Sequence, residues 1–329
     1  MVNKKFLVGI VGLGWWGRKL FKYFSELEKV KIVAVCKKRR IIPEGFDIGE
    51  VKLYTDMKEM FEKENMDAVI IATPPTEHFL PTKLAAEKGI HVFCEKPMAS
   101  SVEDCDKMIE VCNKNNVKLF IAFKHRYAKA YHYLKENAKK FGKPMWAMYI
   151  YPLWKIPDPG WKFVENGCKG IIVENVVHAI DNLRYLMGDV KRIYAEGDSF
   201  IFNNKLPDST IFTLRFKNGA IAALGGGCTS EERISQEHLD IHFEKGIAQV
   251  WGFLDYPYNL RVFMREERIL EEHSFEGSDG VREEIRHFFR CIEKNEEPLA
   301  SGKDGREAVN IALKVIESIR KNKVVELLE

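Results

Sequence analysis

The chain has 329 residues, more than one ordinary domain needs, and can bury a large core by itself. Apolar residues make up 46% and charged residues 30%, which excludes the disordered and membrane-spanning classes, and lysine plus arginine exceed aspartate plus glutamate by only 51 − 48 = 3, which excludes a general nucleic-acid binder. Two domains and small-molecule partners are expected, with no nucleic acid and no membrane. The longest apolar runs, such as Phe6–Leu13 and Ala68–Ala72, fall far short of the roughly 20 residues of a bilayer span. The start has no A-x-A cleavage pattern, so the expected location is cytoplasmic. Seven cysteines without a CxxC pair read as buried, reduced thiols, and no metal site is expected.

From Phe6 to Phe123, short apolar runs alternate with amphipathic segments. Phe6–Val11, Lys31–Cys36, Ala68–Ala72, His91–Cys94 and Lys118–Ala122 read as strands, and Arg18–Glu28, His78–Lys88 and Val102–Asn115 as helices, the last opened by a capping box from Ser100 to Glu103. Such alternation predicts an α/β, doubly wound parallel sheet of the Rossmann type over residues 1–124. After Arg126 the pattern changes. A helix over Tyr131–Phe141 leads through Gly142-Lys143-Pro144 into strand candidates at Trp146–Tyr151, Arg192–Phe202, Thr210–Phe216, Ala220–Leu224, His238–Phe243, Ile247–Trp251, Leu260–Met264 and Arg268–Ser274. Asn218-Gly219 and Lys245-Gly246 mark turns, with a type I′ hairpin expected at the first. Helices are expected at Val173–Met187, Val281–Lys294 and Gly305–Lys321. After Arg126 the chain is therefore expected to become antiparallel, with helices that interrupt or close the region.

Gly12-Leu13-Gly14-Trp15-Trp16-Gly17 lies between the first strand and the first helix, where G-x-G-x-x-G is informative. Gly12 permits the tight turn, Gly14 lets a pyrophosphate approach the backbone, and Gly17 lets helix and strand pack closely. Leu13, Trp15 and Trp16 belong to the same cofactor loop, although on residue type the two tryptophans read more readily as packing. An NAD-binding module places an acidic residue about 20 positions further on. Here the second strand ends in Lys37-Lys38-Arg39-Arg40, and Lys37 and Arg39 suit a 2′-phosphate. NADP is the expected cofactor, with NAD as the alternative.

Ala72-Thr73-Pro74-Pro75-Thr76-Glu77-His78 and Cys94-Glu95-Lys96-Pro97-Met98-Ala99 resemble motifs of the glucose–fructose oxidoreductase/inositol dehydrogenase/rhizopine catabolism (Gfo/Idh/MocA) family. Lys124-His125-Arg126-Tyr127, Gly170–Gly188 and Pro298–Gly305 extend that resemblance over nearly the whole chain. It implies a Rossmann domain over residues 1–124 followed by an α+β domain over residues 125–329 with a large, open, mostly antiparallel sheet, which matches the change of pattern after Arg126; the exposed face of such a sheet predicts a homodimer or homotetramer. It also implies cofactor contacts from Thr73, Pro74, His78, Glu95, Lys96 and Arg126, a catalytic Lys96, and a cis bond between Lys96 and Pro97. From the residues alone, a lysine at the end of a strand can donate to a substrate oxygen. Glu174, His178 and Asp181 fall on one helical face, and an imidazole oriented by a carboxylate can take a hydroxyl proton. The family motif, usually Asp-x-x-x-His, maps onto Glu174 and His178, with Asp181 at the following acidic position; glutamate for aspartate is a departure. Lys155, Trp161 and Lys162, in a Pro/Gly-rich stretch, are further substrate candidates.

The expected function is an NAD(P)-dependent dehydrogenase or reductase passing a hydride between nicotinamide and a secondary alcohol or ketone of a sugar, polyol or nucleotide sugar. In it His178 is the base, Lys96 polarises the reacting oxygen, Glu174 or Asp181 orients the base, and Lys96, Glu174 and His178 meet the substrate. The alternatives are a non-catalytic dinucleotide-binding sensor and a dehydrogenase of a non-sugar diol.

Overall fold

The computed structural model describes residues 5–39, 41–42, 44–154, 160–165, 167–230, 236–253, 256–275 and 280–327. The chain divides into two compact units, residues 1–122 with 284–306 and residues 123–283 with 307–329. The second unit is therefore discontinuous, where the sequence suggested one cut between residues 124 and 125.

The first unit runs β1 (Phe6–Val11), α1 (Trp15–Ser25), β2 (Val30–Cys36), β3 (Lys52–Tyr54), α2 (Met57–Lys63), β4 (Ala68–Ile71), α3 (Phe79–Ala86), β5 (His91–Cys94), α4 (Val102–Lys114) and β6 (Leu119–Ile121). Its six strands are parallel in the order β3-β2-β1-β4-β5-β6, the doubly wound arrangement. β1 and β4 are apolar throughout, and β5 is apolar after His91, rather than alternating, as expected of strands covered on both faces. Phe93 of β5 is fully buried, stacks on Phe120 at 5.2 Å and meets Phe24 and Phe288 edge-on at 5.4 and 5.5 Å. Phe288 belongs to the returning segment, whose apolar side chains complete the core of this unit.

Three local details differ from the sequence reading. The capping serine of α4 is Ser101, which accepts from the Asp104 amide at 3.2 Å, not Ser100; the tandem serines offer S-x-x-acid in both registers. The strand β3 and the helix α2, three and seven residues long, are too short to show a period. At Asn218-Gly219 only the glycine has positive φ, +92°, so the turn is not type I′. Asn218 instead spends its side chain on the Met187 carbonyl at 2.7 Å and the Ala220 amide at 3.0 Å.

The second unit runs α5 (Lys129–Glu136), α6 (Ala138–Phe141), β7 (Pro144–Trp154), a π turn (Ile172–Val176), α7 (Val177–Met187), β8 (Val190–Asp198), β9 (Ser209–Phe216), β10 (Ile221–Ser230), β11 (Gln236–Phe243), β12 (Gly246–Phe253), β13 (Tyr256–Met264) and β14 (Ile269–Phe275). Then follow the first residues of α8 (Gly280–Lys294), the part of α9 (Gly302–Lys321) from residue 307 on, and β15 (Val325–Glu326); residues 284–306 of these helices and their link belong to the first unit. The helix expected over Tyr131–Phe141 breaks at Asn137. Nine strands form one sheet in the order β14-β13-β12-β11-β7-β10-β9-β8-β15, antiparallel except for the pair β7 and β10. Ala147, Tyr149, Tyr151 and Leu153 of β7 point to the face covered by α5 and α7, while Trp146, Met148 and Ile150 point away and are exposed. That alternation is the period-2 signal of a sheet covered on one side.

All seven cysteines are buried and unbridged, as the sequence suggested. Among the described residues, no helix is long and apolar enough to cross a membrane.

Candidate functional site

In the first unit the strand register fixes the geometry. Val11 pairs with Cys36 and with Ile71, Ile71 with Cys94, and Cys94 with Ile121. The segments that follow, beginning with Gly12, Lys37, Ala72 and Glu95, therefore emerge together along the carboxyl edge of the sheet. The strand order reverses between β1 and β4, the position where open α/β sheets hold ligands.

The glycines at this edge differ in what they do. A Cβ on Gly12, whose φ is +99°, would lie 2.5 Å from the Ala72 carbonyl oxygen, and one on Gly17 would lie 2.1 Å from the Gly12 carbonyl oxygen. These two are required by packing. A Cβ on Gly14 would meet nothing within 4 Å. Gly14 is the N-cap of α1 and has extended φ and ψ of −71° and −166°, a conformation that does not demand glycine. The space in front of it is open, the helix carries no side-chain cap there, and the leading N–H groups of a helix have no partners within it. A pyrophosphate fits this cradle. Beside it the Thr73 Oγ1 is buried with no hydrogen-bond partner among the described residues, a donor available to the same ligand. Leu13 is buried.

Trp16 joins the cradle to the second motif, its indole N–H donating to the Glu95 carboxylate, whose other oxygen accepts from the Lys96 amide at 3.2 Å. Trp15 is mostly exposed, with the Lys19 ammonium 4.0 Å from its ring centre. Pro74 precedes a short 3₁₀ turn. His78 is fully buried, with ring nitrogens 2.8 Å from the Thr73 carbonyl and 3.1 Å from the Met98 carbonyl, so it braces the 73–78 segment against the segment after Lys96. Burial pushes its pKa down, against the pull of those carbonyls. The Lys96–Pro97 bond is cis, as the family resemblance implied. Beyond β2, the Lys37 ammonium donates to the Ile41 carbonyl at 2.6 Å, Lys38 pairs with Glu77, and Arg39 is exposed.

In the second unit the three candidates on one helix face are held differently from one another. Glu174 lies in the π turn and pairs with Lys162 at 3.2 Å. Asp181 is clamped by Arg126 through two bonds of 2.7 and 2.6 Å, and both groups are buried. Arg126 also lies 4.9 Å from the centre of the Tyr185 ring. This fork-on-carboxylate geometry makes Arg126 and Asp181 partners, whereas the sequence reading gave one to the cofactor and the other to the base. His178, the third, is buried and stacks on His125 with centroids 4.6 Å apart and planes 26° apart, while Phe123 meets it edge-on at 6.0 Å. Lys155 and the side chain of Trp161 lie outside the described residues.

Sequence reasoning missed the group beneath His178. Glu237 of β11 is wholly buried and accepts hydrogen bonds from the hydroxyls of Tyr131 and Tyr149. Its second oxygen lies 3.7 Å from His125 Nδ1, and the Asn182 amide approaches the same nitrogen at 3.5 Å. Burial pushes the Glu237 carboxyl up, but the charge of His125 and its hydrogen bond, joined by the tyrosine hydroxyls, outweigh it and leave the pKa lowered. The available signal was its phase: in the run Gln236–Phe243, Glu237 falls in step with Leu239, Ile241 and Phe243, on the apolar face of the strand.

The fold is shared with known proteins. Residues 6–123 match the profile described as "Oxidoreductase family, NAD-binding Rossmann fold", and residues 131–249 match the GFO/IDH/MocA C-terminal domain. The myo-inositol 2-dehydrogenase of Thermotoga maritima is 27% identical over 337 residues, 98% of each chain. The D-xylose 1-dehydrogenase [NADP(+)] of Haloarcula marismortui is 24% identical over 97% of this chain and 92% of its own. The WlbA dehydrogenase of Bordetella pertussis, solved with NADH and UDP-GlcNAcA, superposes with a TM-score of 0.82 at 21% identity, covering 99% of this chain and all of the other. The chain belongs to the Gfo/Idh/MocA family of NAD(P)-dependent oxidoreductases, built from that family's Rossmann unit and its C-terminal domain.

Proposed function

We propose that the protein transfers a hydride between a nicotinamide dinucleotide, with NADP(H) preferred, and a secondary alcohol or ketone of a sugar, polyol or nucleotide sugar. The observation that carries this reading is the contrast among the glycines: Gly12 and Gly17 are demanded by backbone contacts, whereas Gly14 faces open space in front of a helix N-terminus. A ligand that needs the room accounts for a glycine there, alongside the ordinary preference for glycine at a helix N-cap. The substrate class is supported by the names of relatives that span nearly the whole chain, myo-inositol 2-dehydrogenase, D-apiose dehydrogenase and D-xylose 1-dehydrogenase among them.

When bound, the nicotinamide supplies the hydride acceptor or donor. The side chains do the rest. His178 takes the hydroxyl proton during oxidation and returns it during reduction, Lys96 donates to the reacting oxygen and stabilises the charge that develops there, and Glu174, carried by Lys162, meets substrate hydroxyls. Asp181 and Arg126 fix the helix that bears His178. Thr73, Trp16 and Glu95 set the wall of the dinucleotide cradle, with Pro74 and His78 shaping its floor.

Gly14→Ala separates ligand space from packing: cofactor affinity should fall at least tenfold by fluorescence titration, while the thermal midpoint of the free protein stays level or rises, since alanine suits this backbone. Unchanged affinity would sink the cradle assignment. Lys96→Met and His178→Ala should each lower kcat by about 10² to 10⁴, followed at the nicotinamide absorbance band against a panel of polyols, aldoses and nucleotide sugars, with dinucleotide binding retained. Near-normal turnover in either variant refutes its role. Lys37→Ala combined with Arg39→Ala should lower kcat/KM for NADP(H) by an order of magnitude or more and leave NAD(H) nearly unaffected; an equal fall with both cofactors removes the 2′-phosphate argument.

The uncovered face of the nine-stranded sheet presents Met148, Ile150 and Ile211, exposed by 49, 54 and 68% in the single chain, beside Trp146 stacked on His242 at 3.8 Å. A second copy of the chain covering this face gives the homodimer or homotetramer expected from the sequence. Met148→Lys with Ile211→Lys should shift the sedimentation coefficient to that of a 38.1 kDa monomer without loss of secondary structure. An assembly unchanged by both charges places the interface elsewhere.

A further inference from the structure

Among the described residues of the second unit, a connected set of groups that the proposed reaction does not use lies behind His178. It has an order of its own. The Tyr131 and Tyr149 hydroxyls converge on Glu237, Glu237 faces His125 at 3.7 Å, and the His125 ring lies flat against the His178 ring at 4.6 Å. Asn182, wholly buried, donates to the Tyr149 hydroxyl at 3.1 Å and touches His125 Nδ1 from the other side. All six side chains are buried among apolar neighbours.

An ionised carboxylate without solvent is costly unless a positive group or several donors face it. Two tyrosine hydroxyls serve one Glu237 oxygen; the cationic form of His125 serves the other. A cationic His125 has a consequence for its neighbour. Two stacked imidazoles at this distance cannot both carry a proton without repulsion across a poorly screened gap, so the ring nearer the buried carboxylate keeps its charge and the other is held neutral. A neutral imidazole is the form that can take a proton from a hydroxyl.

We infer that His125, anchored on Glu237, is a positioning residue for His178: it packs as an imidazolium against the His178 ring, fixes the plane of that ring and keeps it unprotonated. The inference rests on the reading of His178 as the base. The other titratable groups on or against this helix are already in pairs, Arg126 with Asp181 and Lys162 with Glu174. Tyr151 meets His125 at 5.9 Å, and burial pushes the Tyr149 hydroxyl and the Cys228 thiol upward, so these stay neutral near pH 7. His125 is thus the titratable ring stacked on His178.

The test is the titration of His178 followed by NMR in protein carrying labelled histidine, with the resonance assigned through His178→Ala. In the wild-type chain the ring should titrate below the ordinary histidine value. In His125→Gln, and in the double variant His125→Gln with Glu237→Gln, which removes both charges and so spares the fold an unpaired buried carboxylate, the midpoint should rise on the order of one pH unit. The acid limb of kcat/KM should move upward by the same amount. A wild-type midpoint at or above the ordinary value, or a midpoint unmoved in a folded variant, overturns the inference. A midpoint that moves while the acid limb stays put upholds the coupled pair and refutes instead the role of His178 as base.

Discussion

The closest constraint in the first unit is the approach of α1 to the turn that precedes it. With only 2.1 Å between the Gly12 carbonyl oxygen and the place a Cβ would take on Gly17, helix and turn share a boundary that admits no side chain. The Gly12 amide donates to the Cys36 carbonyl at 2.9 Å, which ties the same turn to the end of β2, and the Ala72-Thr73 backbone packs against its other side. Three strand ends are thereby locked around one turn before any ligand arrives. A preorganised cradle of this kind loses little conformational entropy on binding, so the interactions made with a phosphate appear as affinity rather than being consumed in ordering the loop.

The second unit solves a different problem, because its helix face carries charges where the sheet needs apolar cover. Removing a carboxylate and a guanidinium from water costs several kcal/mol per ion, and even a good pair only roughly offsets that, whereas losing one partner costs about 3–5 kcal/mol. The Arg126–Asp181 clamp is therefore poor evidence of net stability and strong evidence of a required geometry: it joins the segment after β6 to α7 at one rotation of the helix. Glu237 follows the same logic. Two tyrosines and a histidine face one buried carboxylate, and an asparagine is bonded to one of those tyrosines, in a place where a leucine would fill the space at no electrostatic cost.

The parts legible in the sequence are those whose signal is local. Apolar runs bounded by turns gave the parallel strands, the glycine spacing between a strand and a helix gave the cradle, and alternation with period two gave the antiparallel sheet, because each depends on residues within about ten positions of one another. Where the signal is a pairing across the chain, the reading failed or stopped short. Arg126 and Asp181 lie 55 positions apart, and each alone looks like a cofactor or base contact. His125 and Glu237 lie 112 apart; His125 stood only as part of the Lys124–Tyr127 motif, and the apolar-face phase of Glu237 names no partner. The returning segment 284–306 escaped for a similar reason: Val281–Lys294 shows the apolar spacing of a helix, but nothing in that spacing states which core the helix completes.

The π turn at Ile172–Val176 bears on the one departure from the family motif. In a continuous α-helix, positions 174, 178 and 181 form a single stripe, so an acid at 174 would stand directly over the histidine. A π turn inserts a residue into the hydrogen-bonding cycle, and side chains before it are rotated relative to those after it. Glu174 sits inside that turn while His178 and Asp181 follow it, and its carboxylate is found on Lys162 rather than in line with the later pair. The extra methylene of glutamate over aspartate recovers reach that the rotation takes away. Length of side chain and local helix geometry are thus coupled at this position. Shortening Glu174 while the π turn stays would draw the carboxylate back from Lys162, so the substitution toward the family's aspartate is not neutral on this backbone.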